Sequence, residues 1–221
     1  MEKSIVNTLG GVTLMAGGPV TGRDVVLARK RAPILVAADG GADRALACGI
    51  MPDAVIGDFD SLSAGGRARI GADRLHAIAE QETTDFDKAL RSIRAGFVIG
   101  LGCLGGRLDH SLAVLNTLVR SAQACVLLGG PDVVFAAPPG RRLALKMAVG
   151  ARLSLFPMGQ IGGQSQGLKW PIDGLSLAPD AQIGTSNRVV AREVVLRFDQ
   201  PGMIVILPRR YLDTALATLA H

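Results

Sequence analysis

Up to about residue 130 the chain alternates short apolar runs, each closing on Gly or Asp, with stretches of mixed polarity. The runs at 12–16, 34–38, 54–56, 76–79, 97–101 and 124–128 are nearly continuous in hydrophobic character and do not alternate with polar residues. Such strands are apolar toward both faces, which predicts a mostly parallel, Rossmann-like sheet covered by helices on both sides. Between them, 41–48, 84–94 and 109–122 carry helical periodicity, the last with Leu112, Leu115 and Val119 on one expected buried stripe.

After Pro138-Pro139-Gly140 the texture changes to short segments broken by Gly, Pro and Asn. The strongest strands there are 153–156, 194–198 and 203–207, and the only long helical pattern is 210–219. The second half therefore reads as an all-β sandwich, with the boundary between 130 and 142 and domains of 1–136 and 137–221.

Composition narrows the classes. A chain of 221 residues with 48% hydrophobic content can bury a core without disulfides, which excludes disorder and fibrous repeats. The formal charge of +5 comes from basic residues scattered in ones and twos, with few aromatics, so no nucleic-acid surface is expected. Cys48, Cys103 and Cys125 are odd in number and lack a C-x-x-C spacing, as in a reduced cytoplasmic protein. The N-terminal segment lacks a signal-peptide pattern and no apolar stretch reaches about 18 residues, so neither export nor a membrane span is expected.

The candidate chemistry is acidic. Aspartate far outnumbers glutamate and is concentrated between Asp39 and Asp109. In Gly57-Asp58-Phe59-Asp60-Ser61, directly after a strand, side chains two apart in an extended chain point the same way. Two bare carboxylates about 4 Å apart repel by roughly 4 kcal/mol at an effective dielectric near 20, a repulsion that a divalent cation removes. Oxygen ligands select Mg²⁺ or Mn²⁺, and with only three histidines, one of them the terminal His221, a histidine metal cluster is excluded. The same residues also suit an Asp-rich turn.

Three further segments stand at strand ends or helix starts. Asp39 leaves the sheet before Gly40-Gly41, which permit close backbone approach ahead of a helix whose N-terminus suits an anion; the alternative is that Asp39 caps that helix, and the two roles are compatible. In Gln81-Glu82-Thr83-Thr84-Asp85-Phe86-Asp87-Lys88, Thr84 and Asp87 resemble a capping box, Asp87 suits an i+4 pair with Arg91, and Asp85 is either a first-turn acid or a metal ligand. Gly105-Gly106-Arg107 expose backbone N–H groups and a guanidinium to phosphate, without the G-K-[ST] of a P-loop; a tight turn is the alternative. Asp109 follows, and His110 suits a helix-terminal hydrogen bond better than a catalytic base. Their shared position argues for one site, because ligands of open α/β sheets bind beyond the carboxyl ends of the strands. In the second half Trp170, flanked by Lys169 and Pro171, is placed either to stack on a heteroaromatic ring or to fill an interface, and Gly184-Thr185-Ser186-Asn187 offers compact polar groups in a turn. A metal-dependent phosphohydrolase or nucleotide-sugar transferase, or a nucleotide-binding module without turnover, would fit the same residues.

Taken in order, ADGGA at 38–42, PDAVIGDFDS at 52–61, QETTDFDKAL at 81–90, GGRLDH at 105–110, GLKW at 167–170 and TSN at 185–187 resemble the thiamine pyrophosphokinase family. The resemblance spans both halves. It departs at Gln166, where a threonine often precedes GLKW, and at Gly184, where a serine often precedes TSN. It implies an α/β catalytic domain binding ATP and Mg²⁺, a β-sandwich domain for thiamine binding and dimerisation, and a homodimer with active sites between subunits. The implied reaction is ATP plus thiamine giving AMP and thiamine diphosphate. By the same resemblance Asp58, Asp60 and Asp85, with Asp39 close by, hold Mg²⁺; Gly40, Gly41, Gly105, Gly106, Arg107 and Lys88 serve ATP. Arg107 and Asp109 stand at the phosphate and hydroxyl end, with Asp109 or Asp85 as proton acceptor. Gln81, Trp170, Ser186 and Asn187 face thiamine.

Overall fold

The apolar runs of the first half pair side by side because their residues need cover on both faces. In a computed structural model, which describes residues 4–220, they give β1 (Val6–Asn7), β2 (Gly11–Met15), β3 (Ile34–Ala38), β4 (Ala54–Gly57), β5 (Leu75–Ala77), β6 (Ile93–Arg94), β7 (Phe97–Leu101) and β8 (Cys125–Gly129). His221 lies outside the described residues. The helices among these strands are α1 (Gly22–Arg29), α2 (Gly41–Ala47), α3 (Ala64–Ile70), α4 (Asp85–Arg91) and α5 (Leu108–Arg120). The chain divides into two compact units, one of residues through 117 and 121–129, the other of 118–120 and 130 onward.

In the first unit a parallel sheet runs in the order β8-β7-β2-β3-β4-β5. Every residue of β2 and β4 is buried, as is all of β3 and β7 beyond the first residue. Successive residues point to opposite faces, so burial throughout means that both faces are covered, as expected. Helix α1 packs on β2 and β7, α2 on β2 and β3, and α4 on β3 and β4. From β2 the chain steps through β3, β4 and β5 in one direction, whereas β7 and β8 lie on the other side of β2. That reversal between β2 and β7 is the switch point at which such sheets form a binding crevice.

Two helices differ from expectation. The pattern at 84–94 yields a helix only to Arg91, because Ile93 and Arg94 pair in parallel with Val6 and Asn7, a distant partner invisible to local periodicity. On α5 the buried residues are Val114, Thr117 and Leu118, while Leu112 is exposed and Leu115 and Val119 are half-buried. The buried stripe is thus rotated from the expected one.

The second unit contains two antiparallel sets of strands and is the expected β sandwich. Its elements are β9 (Asp132–Ala136), β10 (Leu143–Lys146), β11 (Arg152–Pro157), β12 (Gly163–Gln166), β13 (Gly184–Arg188), β14 (Glu193–Phe198), β15 (Met203–Pro208) and α6 (Leu212–Ala220). One antiparallel run has the order β13-β11-β15-β9, four strands of a ten-stranded sheet, and a separate three-stranded sheet has the order β10-β14-β12. Residues 130–136, expected with the α/β half, join the second unit because β9 pairs antiparallel with β15. Alternation is clear on β10 and β14, where Leu143, Leu145, Val194, Leu196 and Phe198 point inward.

Cys103 and Cys125 are buried and free, and Cys48 is free and exposed. Burial pushes the Cys103 thiol well above its ordinary value and Cys125 up to about 12. Among the described residues no helix is long and apolar enough to cross a membrane.

Helix α2 starts hard against the end of β2: a Cβ added at Gly41 would lie 2.1 Å from the Met15 carbonyl oxygen. The carbonyl is main chain and the Cβ position is fixed by the backbone, so neither can rotate away. Gly41→Ala should therefore destabilise the protein by about 3 kcal/mol, toward the upper end of overpacking costs. Gly65→Ala, on α3 where an added Cβ meets nothing within 4 Å, should stabilise by up to about 1 kcal/mol through helix propensity. Urea unfolding midpoints of the two variants check both signs.

Candidate active site

Three carboxylates meet at the carboxyl edge of the parallel sheet. Asp39 follows β3, Asp58 and Asp60 follow β4, and one oxygen from each lies within 4.8 Å of the others. The convergence of Asp58 and Asp60 does not come from extended chain. Phe59 between them has φ 67°, a left-handed turn that costs a non-glycine residue energy. Burial of its ring among Ala37, Ala42, Leu46, Val55, Leu62 and Ile70 offsets that cost. Asp39 is also left-handed, at φ 42°, and no side-chain bond caps α2, so the capping role is absent. Its Oδ2 instead accepts the Ser61 N–H at 3.1 Å, tying the two strand ends together. Its Oδ1 is buried and has no hydrogen-bond partner. Burial and then the Asp85 charge push its pKa up, against hydrogen bonds from Ser61.

One ammonium offsets part of this charge. Lys88, on α4 and 1% exposed, donates to Asp58 Oδ2 at 2.9 Å and to Asp85 Oδ1 at 3.2 Å. Burial works against its charge, but the bonds to the two carboxylates raise its pKa. The Lys88 hydrogen bond is also the main cause that lowers Asp58. Gln81 Nε2 donates to the same Asp58 oxygen at 3.0 Å. Asp39, Asp58, Asp60, Asp85, Lys88 and Gln81 therefore form one neighbourhood.

The loop bearing Gln81 is pinned from behind by a residue that the motifs did not single out. Glu80 accepts the N–H groups of Glu82 and Thr83, the Thr83 hydroxyl, and Arg91 Nη2 at 2.9 Å. Arg91 also reaches Asp87 at 3.7 Å, the expected i+4 pair, and Thr117 donates to Asp87 at 3.2 Å. Thr84 caps α4 by accepting the Asp87 N–H.

At the switch point the chain runs glycine against glycine. Gly18 N–H donates to the Gly102 carbonyl at 2.9 Å, and a Cβ on Gly18 would come 2.4 Å from that oxygen. Gly17 and Gly18 escaped the motif reading, although Gly-Gly-Pro straight after an apolar strand was the available signal. Gly105, at φ 82°, and Gly106 continue this surface, with Gly106 beside Pro19. Arg107 and Asp109 are exposed and bonded to each other, Nη2 to Oδ2 at 2.5 Å and Nε to Oδ1 at 3.1 Å. That guanidinium holds the Asp109 carboxyl at about 2. His110 donates its backbone N–H to Asp109, at the start of α5.

In the second unit Trp170 is half-exposed, with the Lys169 ammonium 4.8 Å from its ring centroid. Asn187 is buried and bonded to the Trp170 main chain, and Ser186 beside it is exposed with φ 60°.

An open parallel sheet with an acidic rim and glycine loops at its switch point belongs to an enzyme that handles phosphate-bearing substrates at its strand ends. Residues 27–128 match the family model "Thiamin pyrophosphokinase, catalytic domain", and residues 142–203 match "Thiamin pyrophosphokinase, vitamin B1 binding domain". The chain is 28% identical to thiamine pyrophosphokinase 1 of Oryza sativa subsp. japonica over 75% of each protein. It is 25% identical to thiamine pyrophosphokinase of Bacillus subtilis, covering 88% of this chain and 97% of that one. The crystal structure of thiamin pyrophosphokinase from Geobacillus thermodenitrificans superposes with a TM-score of 0.74 at 21% identity, covering 90% and 97% of the two chains. The chain belongs to the thiamin pyrophosphokinase family. It is an ATP-dependent transferase that moves the pyrophosphoryl group of ATP to thiamine, and the comparisons favour no hydrolase or nucleotide-sugar transferase.

The Glu80 cluster has a signature in pH. Its hydrogen bonds, from the Thr83 hydroxyl first and then Arg91, lower the Glu80 carboxyl from 4.5 to about 2. A lowered pKa stabilises the fold fully above the unfolded value and loses that contribution as pH falls toward the folded one. Glu80→Gln should therefore melt below wild type at pH 7, and the gap should close between about pH 4.5 and 2. Melting temperatures of both proteins across that range check the sign.

Proposed function

We propose that Asp39, Asp58 and Asp60, with Asp85 beside them, hold Mg²⁺ on the phosphates of ATP during the transfer. The observation that carries this reading is the meeting of three carboxylates at one rim, with a buried Asp39 oxygen left without a hydrogen bond. An all-oxygen donor set fits a hard divalent cation. Bound there, the ion supplies neutralisation of the charge on the transferring phosphates.

The rest of the chemistry falls to the chain's own groups. The thiamine hydroxyl oxygen attacks the β-phosphorus in line; that P–O bond forms as the bond from β-phosphorus to the α–β bridging oxygen breaks, and AMP leaves. Gly40 and Gly41 at the start of α2, and Gly105 and Gly106 before α5, present main-chain N–H groups to phosphate. Arg107 turns from Asp109 to phosphate oxygens. The hydroxyl proton passes to Asp109 or Asp85: the turn of Arg107 releases the Asp109 carboxylate from the pairing that lowers its pKa, while Asp85 stays bonded to the Lys88 ammonium. Lys88 holds Asp58 and Asp85 in place from beneath the ATP subsite. Gln81 serves the thiamine side, and Trp170 and Ser186 form the thiamine subsite, with Asn187 bonded to the Trp170 main chain behind it. In this reading residues through about 129 make the catalytic, nucleotide-binding domain, and the β sandwich binds thiamine and dimerises.

We further infer a homodimer in which one protomer's thiamine subsite completes the partner's active site. Leu108 and Leu112 support it, being one helical turn apart on α5 and 74% and 53% exposed. The three free thiols support a cytoplasmic location.

Incubating the protein with MgATP and thiamine should release AMP only when thiamine is present, read by nucleotide chromatography. ADP or phosphate formed without thiamine would overturn the reading. Asp58→Asn and Asp60→Asn should each lower kcat about 100-fold or more, since even outer-shell partners of metal sites cost 10- to 100-fold. Light scattering should give a mass of two chains, and Leu108→Asp with Leu112→Asp should give one.

A further inference from the structure

The single tryptophan of the chain sits on the segment between β12 and β13, and its main chain is gripped by one buried side chain. Asn187, 5% exposed, accepts the Trp170 N–H on Oδ1 at 3.2 Å and donates from Nδ2 to the Trp170 carbonyl at 2.6 Å. The same Oδ1 accepts the Arg188 N–H at 2.8 Å. Two donors on one atom and one acceptor on the other fix the orientation of the amide, because the flipped side chain would set N–H against N–H. Both main-chain polar groups of Trp170 are thus taken by Asn187.

The fold goes out of its way to bury that side chain. Along β13 the pairing with β11 shifts, with Gly184 opposite Leu155 and Asn187 opposite Leu153, so Thr185 and Ser186 share the place facing Ser154. The extra residue is a bulge, a device that re-aims side chains. Ser186 takes a left-handed φ of 60°, held by its N–H donating to the buried Ser154 hydroxyl at 2.9 Å. Ser186 then stays at the surface while Asn187 turns inward. On the far side of the tryptophan, Ile172 N–H donates to the Ser165 hydroxyl at 3.0 Å, so the segment is also tied beyond Pro171.

We propose that Asn187 is a positioning residue: its amide brackets the main chain of Trp170 and holds the half-exposed indole in the pose that receives thiamine. The proposal rests on the reading that Trp170 stacks on thiamine. It moves Asn187 from direct contact with the vitamin to a place behind the contact.

The test uses the full-length protein and the tryptophan's own fluorescence, which reports on Trp170 alone. Asn187→Ala removes the bracket; Asn187→Asp keeps the shape and sets a carboxylate oxygen against the Trp170 carbonyl. Both should increase acrylamide quenching of Trp170 and lower its anisotropy. Both should raise the thiamine KM several-fold, with kcat at saturating thiamine and the ATP KM unchanged. In a double-mutant cycle, Asn187→Ala added to Trp170→Ala should raise the thiamine KM no further, because a residue acting through the indole has nothing left to act on. Additive effects together with unchanged quenching would overturn the proposal and make Asn187 a thiamine contact. Should Trp170→Ala leave the thiamine KM unaltered, the stacking reading fails, while the quenching of the Asn187 variants still decides whether the bracket exists. In wild-type protein, where no variant has to fold, the Trp170 amide should exchange with deuterium slowly; exchange at the rate of an open loop would also overturn the proposal.

Discussion

Like charge is the constraint around which the first unit is built. Asp39, Asp58, Asp60 and Asp85 are brought to one edge of the sheet, and their mutual repulsion opposes the fold unless a cation stands among them. Lys88 is that cation within the chain. It is carried on α4, which packs against the same strands, β3 and β4, whose ends bear the aspartates. A buried ammonium is itself costly, so the amine and carboxylates are each tolerable only in the presence of the other. The ammonium contacts Asp58 and Asp85 and leaves Asp39 Oδ1 without a partner. The ammonium thus offsets the charge on the Asp58 and Asp85 side of the cluster.

Bringing the carboxylates together also depends on main chain approaching main chain. Gly41 abuts the end of β2, Gly18 abuts Gly102, and a Cβ at Gly57 would come 2.9 Å from the Asp39 Cβ. These contacts draw the loops after β2, β3, β4 and β7 into one rim. The left-handed turns at Asp39 and Phe59 belong to the same tightening, and the apolar pocket around the Phe59 ring holds the second of them. Strain at the site is thus secured by burial just beneath it.

Much of this was legible in the residues. The runs at 34–38 and 97–101 became β3 and β7 without change, because a fully buried strand needs a continuous apolar stretch and little else imitates it at that length. What escaped was non-local or locally weak. Helix α3 contains two glycines and owes its start to the Ser63 cap, and α1 shows itself mainly through the Thr21–Asp24 capping box. The Ile93–Arg94 strand exists only because Val6–Asn7 lies beside it. At the site, D-x-D was visible, but the left-handed turn that makes the two side chains converge was not, since phenylalanine gives no sign of positive φ. Glu80 was passed over because its partners, Thr83 and Arg91, are joined to it only by the folding of the loop it fastens. The inward turn of Asn187 required the bulge at Thr185 and Ser186, which only the pairing of β11 with β13 reveals.

The three thiols differ sharply in accessibility. Cys103 and Cys125 are enclosed and hold their protons tightly, whereas Cys48 lies open at the carboxyl end of α2. Thiolate is the nucleophilic form, so an electrophile at neutral pH discriminates among them without any mutagenesis. A maleimide dye or spin label would attach at Cys48 alone, at the opposite end of α2 from Gly40 and Gly41. The natural sequence thereby carries a ready attachment point for spectroscopy on the helix that opens beside Asp39.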